Sequence, residues 1–539
     1  MSDQSSGESG QSGRSPFRPS NRTEVSLEQI AQQLSVPAPG AAEVTGITSD
    51  SRGVEPGDLY VALPGANRHG ADFAAQAAER GAAAVLTDQA GARALALDTD
   101  FALPVLVTED VRAVVGPLAG LIYGSQPEGV LRPDLFAVTG TNGKTTTSYF
   151  VNSLLRSLGK TTGLIGTIEI VAGDEPIPSK LTTPESTDVH ALLALMRERG
   201  IDGASMEVSS HALSYHRVDG VHFDVAGFTN LTQDHLDLHG TMDEYFATKA
   251  ELFTPEHTGR AVILVDDEWG QRLATQASVP VTTVSVASEN TYDADWKLSS
   301  QQAAGLGTDF VLTKRDGQSL AVHSGLPGNF NVANAALAVL MVLESGVPLQ
   351  ALQTALDTHD PLTVEVPGRM QMVGTSPAAI VDFAHNPDAL ARALGAVRSG
   401  EEGSRVIVVF GATGQRDQGK RPTMGAIAVE LADVVIITDD DPHEEDEASI
   451  RADVMAGAIG ANEKLTVPRV VEEVSPRKDA IRRAVELATA KDTILVAGRG
   501  HEVWQEVKGV NLPLDDRAEL RNALTAFGFN ASSAETLGS

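Results

Sequence analysis

The chain reads as an α/β protein of three domains, on three observations. Short apolar strands alternate with helical patterns through most of the sequence, the strand over 135–139 runs through a Gly-containing turn straight into a helix, and the alternation runs to about Leu343 and restarts after Pro361, near residue 364. At 539 residues the chain is too long for one core, and the pattern divides it into 23–114, 115–363 and 364–539.

The elements follow in order. Residues 1–22 are rich in Ser and Gly and lack an apolar run, which predicts a disordered tail and neither a signal peptide nor a membrane span. Ser26 and Gln29 stand at capping-box spacing ahead of Ile30 and Leu34, predicting a short helix. Leu59, Val61 and Leu63 alternate with Asp58, Tyr60 and Ala62 as in a strand; 82–86 and 104–107 are further strands, beside an Ala-rich helix at 71–80. TSDSR (48–52) and GANRHG (65–70) place hydroxyls, an amide and a cation on loops. In the middle region, strands at 203–208, 223–228 and 261–265 are each followed by polar residues, and in a parallel sheet those ends face the ligand crevice. Strands at 379–383, 406–410, 434–437 and 493–496 repeat this arrangement, ending in DFAHNPD (382–388), GATGQRDQGKRP (411–422), TDDDPHEED (438–446) and AGRGHE (497–502). Two such sheets predict a substrate cleft between domains.

Composition narrows the function. With 72 acidic against 41 basic residues the formal charge is −31, which argues against a nucleic-acid or anionic-membrane partner. No cysteine is present, so disulfides, thiol catalysis and Cys-ligated metals are excluded. The charge-free run 317–343 contains Pro, Gly and Asn and fails as a transmembrane helix. A cytoplasmic monomer is expected.

GTNGKTTT (140–147) is a phosphate cradle by its residue types. Gly140 and Gly143 let backbone N–H groups approach phosphate oxygens, and the helix N-terminus adds the positive end of its dipole. Lys144 then reaches the terminal phosphates of a nucleotide, and Thr145 or Thr146 offers a hydroxyl to Mg2+. The spacing is GxxGKTT, shorter than the usual nucleotide loop. Glu207 at a strand end and His235 in DHLD are suited to a hard metal or phosphate beside it.

In order and spacing, GTNGKTTT, MEVSSH, TNLTQDHLDLHG, GNFNVANA, GRM, DFAHNPDAL, GxxGxRDxGKRP and AGRGHE resemble the Mur ligases from about Val44 to Ala526. The resemblance implies a UDP-binding N-terminal domain, a central P-loop ATPase-like parallel sheet and a Rossmann-like C-terminal domain. It implies ATP-dependent addition of a diamino acid to the D-Glu γ-carboxylate of UDP-MurNAc-L-Ala-D-Glu through an acyl phosphate. Residue by residue, Gly140, Thr141, Asn142, Gly143, Lys144, Thr145 and Thr146 would hold the ATP phosphates, with Asn329, Asn334, Arg369 and Asp382 completing the nucleotide site. Thr145, Glu207, His235 and a CO2-derived carbamate on Lys249 would hold two Mg2+ ions, with Lys144, Glu207, His235 and Lys249 as the catalytic group. Ser49, Ser51, Ala66, Asn67 and Arg68 would meet the uridine side, and Thr182, Thr183, Ser209, Tyr215 and Arg217 the muramoyl peptide; Tyr215 replaces the Gln common in related enzymes. Arg416, Asp440, Asp441, His443, Gly498 and Glu502 would bind the amino acid. A folylpolyglutamate synthetase-like ligase is disfavoured by DSR and EVSSHALSYHR. A non-catalytic ATP-binding switch or scaffold has no need of Lys249, Arg416 or Glu502.

The amino acid is read from Asp440-Asp441-Pro442-His443. Related enzymes adding meso-diaminopimelate carry Arg where this chain has His443, and a neutral imidazole lacks the two-pronged grip of a guanidinium on a carboxylate. Glu444, Glu445 and Asp446 would attract an ammonium, so L-lysine is expected, with L-ornithine second and meso-diaminopimelate the alternative; Arg499 is the cation that would serve in that case.

Overall fold

The computed structural model describes residues 16–531 except 66, 67, 99, 174, 175, 180 and 290. The chain forms two compact units, Met1–Leu135 with Lys160–Ala204 and Val208–Phe223, and Phe136–Gly159 with Ser205–Glu207 and Asp224–Ser539.

The first unit is built on a parallel sheet in the order Gly46–Thr48, Asp58–Ala62, Ala84–Thr87, Val105–Val107. Period-two alternation sends Leu59 and Val61 to one face and Tyr60 and Ala62 to the other, and both faces are buried. Helix Leu27–Leu34 starts in the expected capping box, the Ser26 hydroxyl accepting from Gln29 N–H and the Gln29 side chain from Ser26 N–H. Two expectations are corrected. The tail predicted through Arg22 ends sooner: the Arg18 side chain is covered and lies 2.6 Å from Asp58, and Arg22 pairs with Glu55. The boundary between 114 and 115 falls inside helix Val111–Tyr123, whose Val111, Val115, Leu118 and Ile122 complete the core of this sheet. Tyr123 fastens that helix, its hydroxyl donating to Ile47 O and accepting from Ile47 N–H.

Where that helix ends, Ser125 Oγ lies 2.8 Å from His190 Nδ1 and His190 Nε2 donates to Asp219 O at 3.0 Å. Burial holds His190 down at about 4, against a weaker pull upward from Asp219. The unfolded chain therefore takes up this proton first, and stability present above the ordinary histidine range is lost as pH falls through it. The stability advantage of the wild type over His190→Asn should shrink by about 2 kcal/mol between pH 7 and pH 5 in denaturant titrations, whereas a constant gap would contradict the buried neutral imidazole.

In the second unit, strand residues Phe136–Thr139 pair in parallel with Val225–Phe228, and Thr258–Leu264 lies parallel to Val281–Ser285. Trp296–Ala304 continues this sheet in parallel, and Gly307–Lys314 and Ser319–Ser324 close it as an antiparallel meander that the sequence reading missed. The run 317–343 contributes that last strand and all but the last residue of helix Asn329–Glu344; among the described residues no helix is long and apolar enough to cross a membrane.

The sheet expected near residue 364 has the order Val470–Glu473, Val434–Ile437, Val406–Phe410, Thr493–Ala497, Ala378–Asp382, Gln371–Ser376, Asn530–Ala531. Its first five strands are parallel, with a core on each face. That puts Asp382, Gly411, Thr438 and Gly498 at one edge, where open α/β sheets bind ligands.

Candidate functional site

After Thr139 the chain turns through Gly140 (φ 143°) and Gly143 (φ 91°). A Cβ on Gly140 would stand 1.9 Å from Thr229 Oγ1, and one on Gly143 2.3 Å from Asn334 Oδ1, so both positions need glycine. Gly143 brings no side-chain acceptor to helix Lys144–Ser157, which leaves the dipole end of that helix to an anion. The loop is stapled in place: Thr141 N–H donates to Asn230 O, Asn142 N–H to Asn230 Oδ1, and Asn142 Nδ2 to Asp388 at 3.0 Å.

Two lysines meet beneath this loop. Lys144 Nζ donates to Gly140 O at 3.0 Å and Thr141 O at 2.8 Å, while Lys249 Nζ donates to the same Gly140 O at 2.9 Å and lies 4.8 Å from the Tyr245 ring centre. Burial lowers both amines, and for Lys249, held well below the ordinary lysine range, the charge of Lys144 adds to the effect. Neutral oxygens alone meet the two amines, and the shared Gly140 carbonyl brings them close together, so the pocket disfavours a charge on Lys249.

Thr145 Oγ1 donates to Glu207 Oε2 at 2.9 Å, and Arg369 Nη2 reaches Thr145 Oγ1 at 3.4 Å. Thr146 is buried on the same turn. Asp382 accepts Met370 N–H at 2.7 Å and Ala384 N–H at 2.9 Å, so its carboxylate fixes the Arg369 turn, and the guanidinium stands 4.2 Å from the Phe383 ring centre. Burial raises Asp382 and lowers Arg369.

The four expected metal residues are not all brought together. Thr145 and Glu207 pair, Lys249 lies under the loop, and His235, in a left-handed conformation (φ 53°), sits edge-on to Tyr245 with Nδ1 3.8 Å from Asp234. Among the described residues no group of three or more His, Asp or Glu forms a metal cage. The Thr145 hydroxyl and Glu207 carboxylate fit one hard cation in part, with open positions left for phosphate and water. Of the two asparagines expected to complete the nucleotide site, Asn334 is buried beside Gly143 and bonds Asn331, a residue the motif reading missed; Asn329 is exposed.

At the edge of the C-terminal sheet, Asp440, Asp441 and Glu502 gather around buried Arg499, which binds Asp441 and the Trp504 carbonyl. Burial and the neighbouring Asp440 push Glu502 up to about 8, and burial raises Asp441. Asp440 Oδ2 is buried with no hydrogen-bond partner among the described residues, and a Cβ on Gly498 (φ 117°) would come within 2.5 Å of it. Three carboxyl groups share the one Arg499 guanidinium, and the Asp440 oxygen left over suits an amine. Arg416 is exposed on the facing loop.

The acidic run after His443 is otherwise engaged than expected. Glu445 binds Arg421 and Asp446 caps helix Glu447–Asn462 through Ser449 N–H, leaving Glu444 exposed. His443 (φ 52°) is held by strand Trp504–Val507, with Nδ1 3.1 Å from Glu506 Oε2. The run therefore gives less pull on a second ammonium than its composition suggests, and Arg499 is too tightly bound to serve as a free carboxylate grip.

In the first unit, Thr183 Oγ1 accepts Ser209 N–H at 3.2 Å, Arg217 Nη1 donates to Thr183 O and Arg217 Nη2 pairs with Glu185 at 2.8 Å. Thr182 accepts a bond from Thr167. Tyr215 lies within cation–π reach of Arg217 and Arg112, and it lines a cavity with Ser49, Glu185 and Arg112, the last missed because no motif contains it. Ser51 turns to Gln76, Arg68 is exposed beside Asp72, and Ala66 and Asn67 lie outside the described residues.

Three family profiles match: "Mur ligase family, catalytic domain" at 43–118, "Mur ligase middle domain" at 138–342 and "Mur ligase, glutamate ligase domain" at 368–500. A UDP-N-acetylmuramoyl-L-alanyl-D-glutamate--2,6-diaminopimelate ligase of Streptomyces coelicolor is 46% identical over 94% of this chain and 98% of its own length. A UDP-N-acetylmuramyl-tripeptide synthetase of Leifsonia xyli is 44% identical over 96% and 99%. A solved structure of a UDP-N-acetylmuramoyl-L-alanyl-D-glutamate--2,6-diaminopimelate ligase superposes with a TM-score of 0.63 at 32% identity, covering 94% of this chain and all of that one. With the phosphate loop, the acidic pocket and these matches together, the chain belongs to the Mur ligase family of ATP-dependent, amide-bond-forming peptidoglycan precursor ligases.

Proposed function

We propose that the chain joins 2,6-diaminopimelate to the D-Glu γ-carboxylate of UDP-MurNAc-L-Ala-D-Glu, with ATP cleaved to ADP and phosphate. The observation that carries this reading is one unit holding both a phosphate loop and a buried acidic pocket whose Asp440 Oδ2 awaits a donor. Lys144, Arg369 and the helix N-terminus offset charge as the γ-carboxylate displaces ADP to form the acyl phosphate. Asp440 and Glu502 hold the amine that then displaces phosphate, its proton leaving to solvent. A Mg2+ ion at Thr145 and Glu207 would supply further charge neutralisation. Lys249, low in pKa and buried against Thr139 and Gly140, is the amine that would add CO2, losing a proton to become a carbamate anion.

The names of the relatives support diaminopimelate over the lysine expected from the sequence, and the engagement of Glu445 and Asp446 removes part of the case for lysine. L-Lysine remains the second reading on one observation, His443 paired with Glu506 in place of a free guanidinium. ADP release with the UDP-dipeptide and ATP, with and without amino acid, tests the ligase reading: it should depend on all three substrates. Amino-acid-independent turnover would overturn it.

A further inference from the structure

Two loops of the C-terminal sheet carry the expected amino-acid contacts, Arg416 on 411–419 and Asp440, Asp441 and His443 on 438–446. They are tied by groups outside every assigned site. Arg421, on the first turn of helix Lys420–Leu431, is wholly buried, and its Nη1 and Nη2 each lie 2.7 Å from a different oxygen of Glu445. Glu445 Oε2 also accepts the N–H of Gln415, the residue before Arg416, at 2.9 Å. Gly414 N–H donates to Asp441 O at 2.8 Å, and a Cβ on Gly414 would stand 2.0 Å from Pro442 O. The loops thus touch backbone to backbone, with a bidentate ion pair closing the contact. Fork-to-carboxylate pairing fixes direction as well as distance, which a single hydrogen bond does not. Arg421 keeps a second partner, Asp453 at 3.0 Å, so losing Glu445 does not leave the guanidinium without a counter-charge.

We propose that Glu445, gripped by Arg421, is a positioning residue that sets Arg416 against Asp440 and Asp441 and so tunes the hold on the incoming amino acid. This rests on the reading of these loops as the amino-acid site. A shift of Arg416 by a fraction of an ångström weakens the grip on the amino acid while leaving the nucleotide and UDP-substrate contacts alone.

Steady-state kinetics of Glu445→Ala and Glu445→Gln, together with backbone amide exchange in the free proteins, test it. Expected are faster exchange at Gln415, a rise of about tenfold in KM for the amino acid in Glu445→Ala and a smaller one in Glu445→Gln, with kcat and the KM values for ATP and UDP-dipeptide within about twofold. Unchanged exchange at Gln415 would overturn the clamp whether or not the protein ligates. Faster exchange with an unchanged amino-acid KM, or an equal rise in all three KM values, would reduce Glu445 to a structural role and overturn the proposal. A wild type that releases no ADP in response to amino acid would instead sink the ligase reading, and the exchange data would still report on the clamp.

Discussion

Lys144→Ala is expected to lower ligation by about a thousandfold or more while the fold persists. The Lys144 ammonium lies folded back on the carbonyls of Gly140 and Thr141, at the start of a helix whose cap offers no side-chain acceptor. Those are weak partners for a half-buried cation, and desolvation already lowers its pKa, so an arriving phosphate would gain a charge that the loop leaves poorly compensated. A loss of that size corresponds to about 4 kcal/mol of transition-state stabilisation, within reach of one charge in a water-poor site. The variant should melt near the wild type, because alanine removes a half-buried cation while the staples from Asn230 and Asp388 hold the loop. Single-turnover ADP formation checks it, and near-normal turnover would contradict the placement of ATP.

Lys249→Ala is the second large effect. Lys249 is buried on helix Met242–Ala250, shares the Gly140 carbonyl with Lys144 and lies against Tyr245. A low-pKa amine in this position reacts readily with CO2, and the resulting anion would replace a repulsion between two cations by an attraction. Activity of Lys249→Ala should fall by about a hundredfold or more, and added acetate or formate should restore part of it by occupying the vacated space with a carboxylate. Full activity without rescue, or a mass spectrum of the native protein and a high-resolution map both showing a plain amine, would contradict the carbamate.

The sequence made legible what depends on local pattern. The capping box at Ser26, the loop glycines and the strands that end at Phe410 and Ile437 follow from periodicity and turn chemistry, and the structure places them accordingly. What it hid is long-range. Glu445 reads as one of four acids in a row, and only its pairing with Arg421 across 24 positions shows that it does not face a ligand. Arg112 belongs to no motif and enters its cavity through the fold of the first unit. The end of the tail was misplaced because Arg18 looks solvated in a Ser-rich stretch until the buried Asp58 is seen to need a counter-charge. His443 reads in isolation as an imidazole standing where a guanidinium would, whereas its setting is fixed by Glu506 on a strand 63 residues further on.

Product analysis under competition puts the central claim to its most direct test. The protein is given UDP-MurNAc-L-Ala-D-Glu, ATP and equimolar 2,6-diaminopimelate, L-lysine and L-ornithine, and the UDP-linked products are identified by mass, with kcat/KM determined for each amino acid alone. The account predicts a single dominant UDP-MurNAc-tripeptide carrying diaminopimelate, formed one for one with ADP. A dominant lysyl product would return the weight to His443 and Glu506, and ADP release without any tripeptide would contradict the ligase itself.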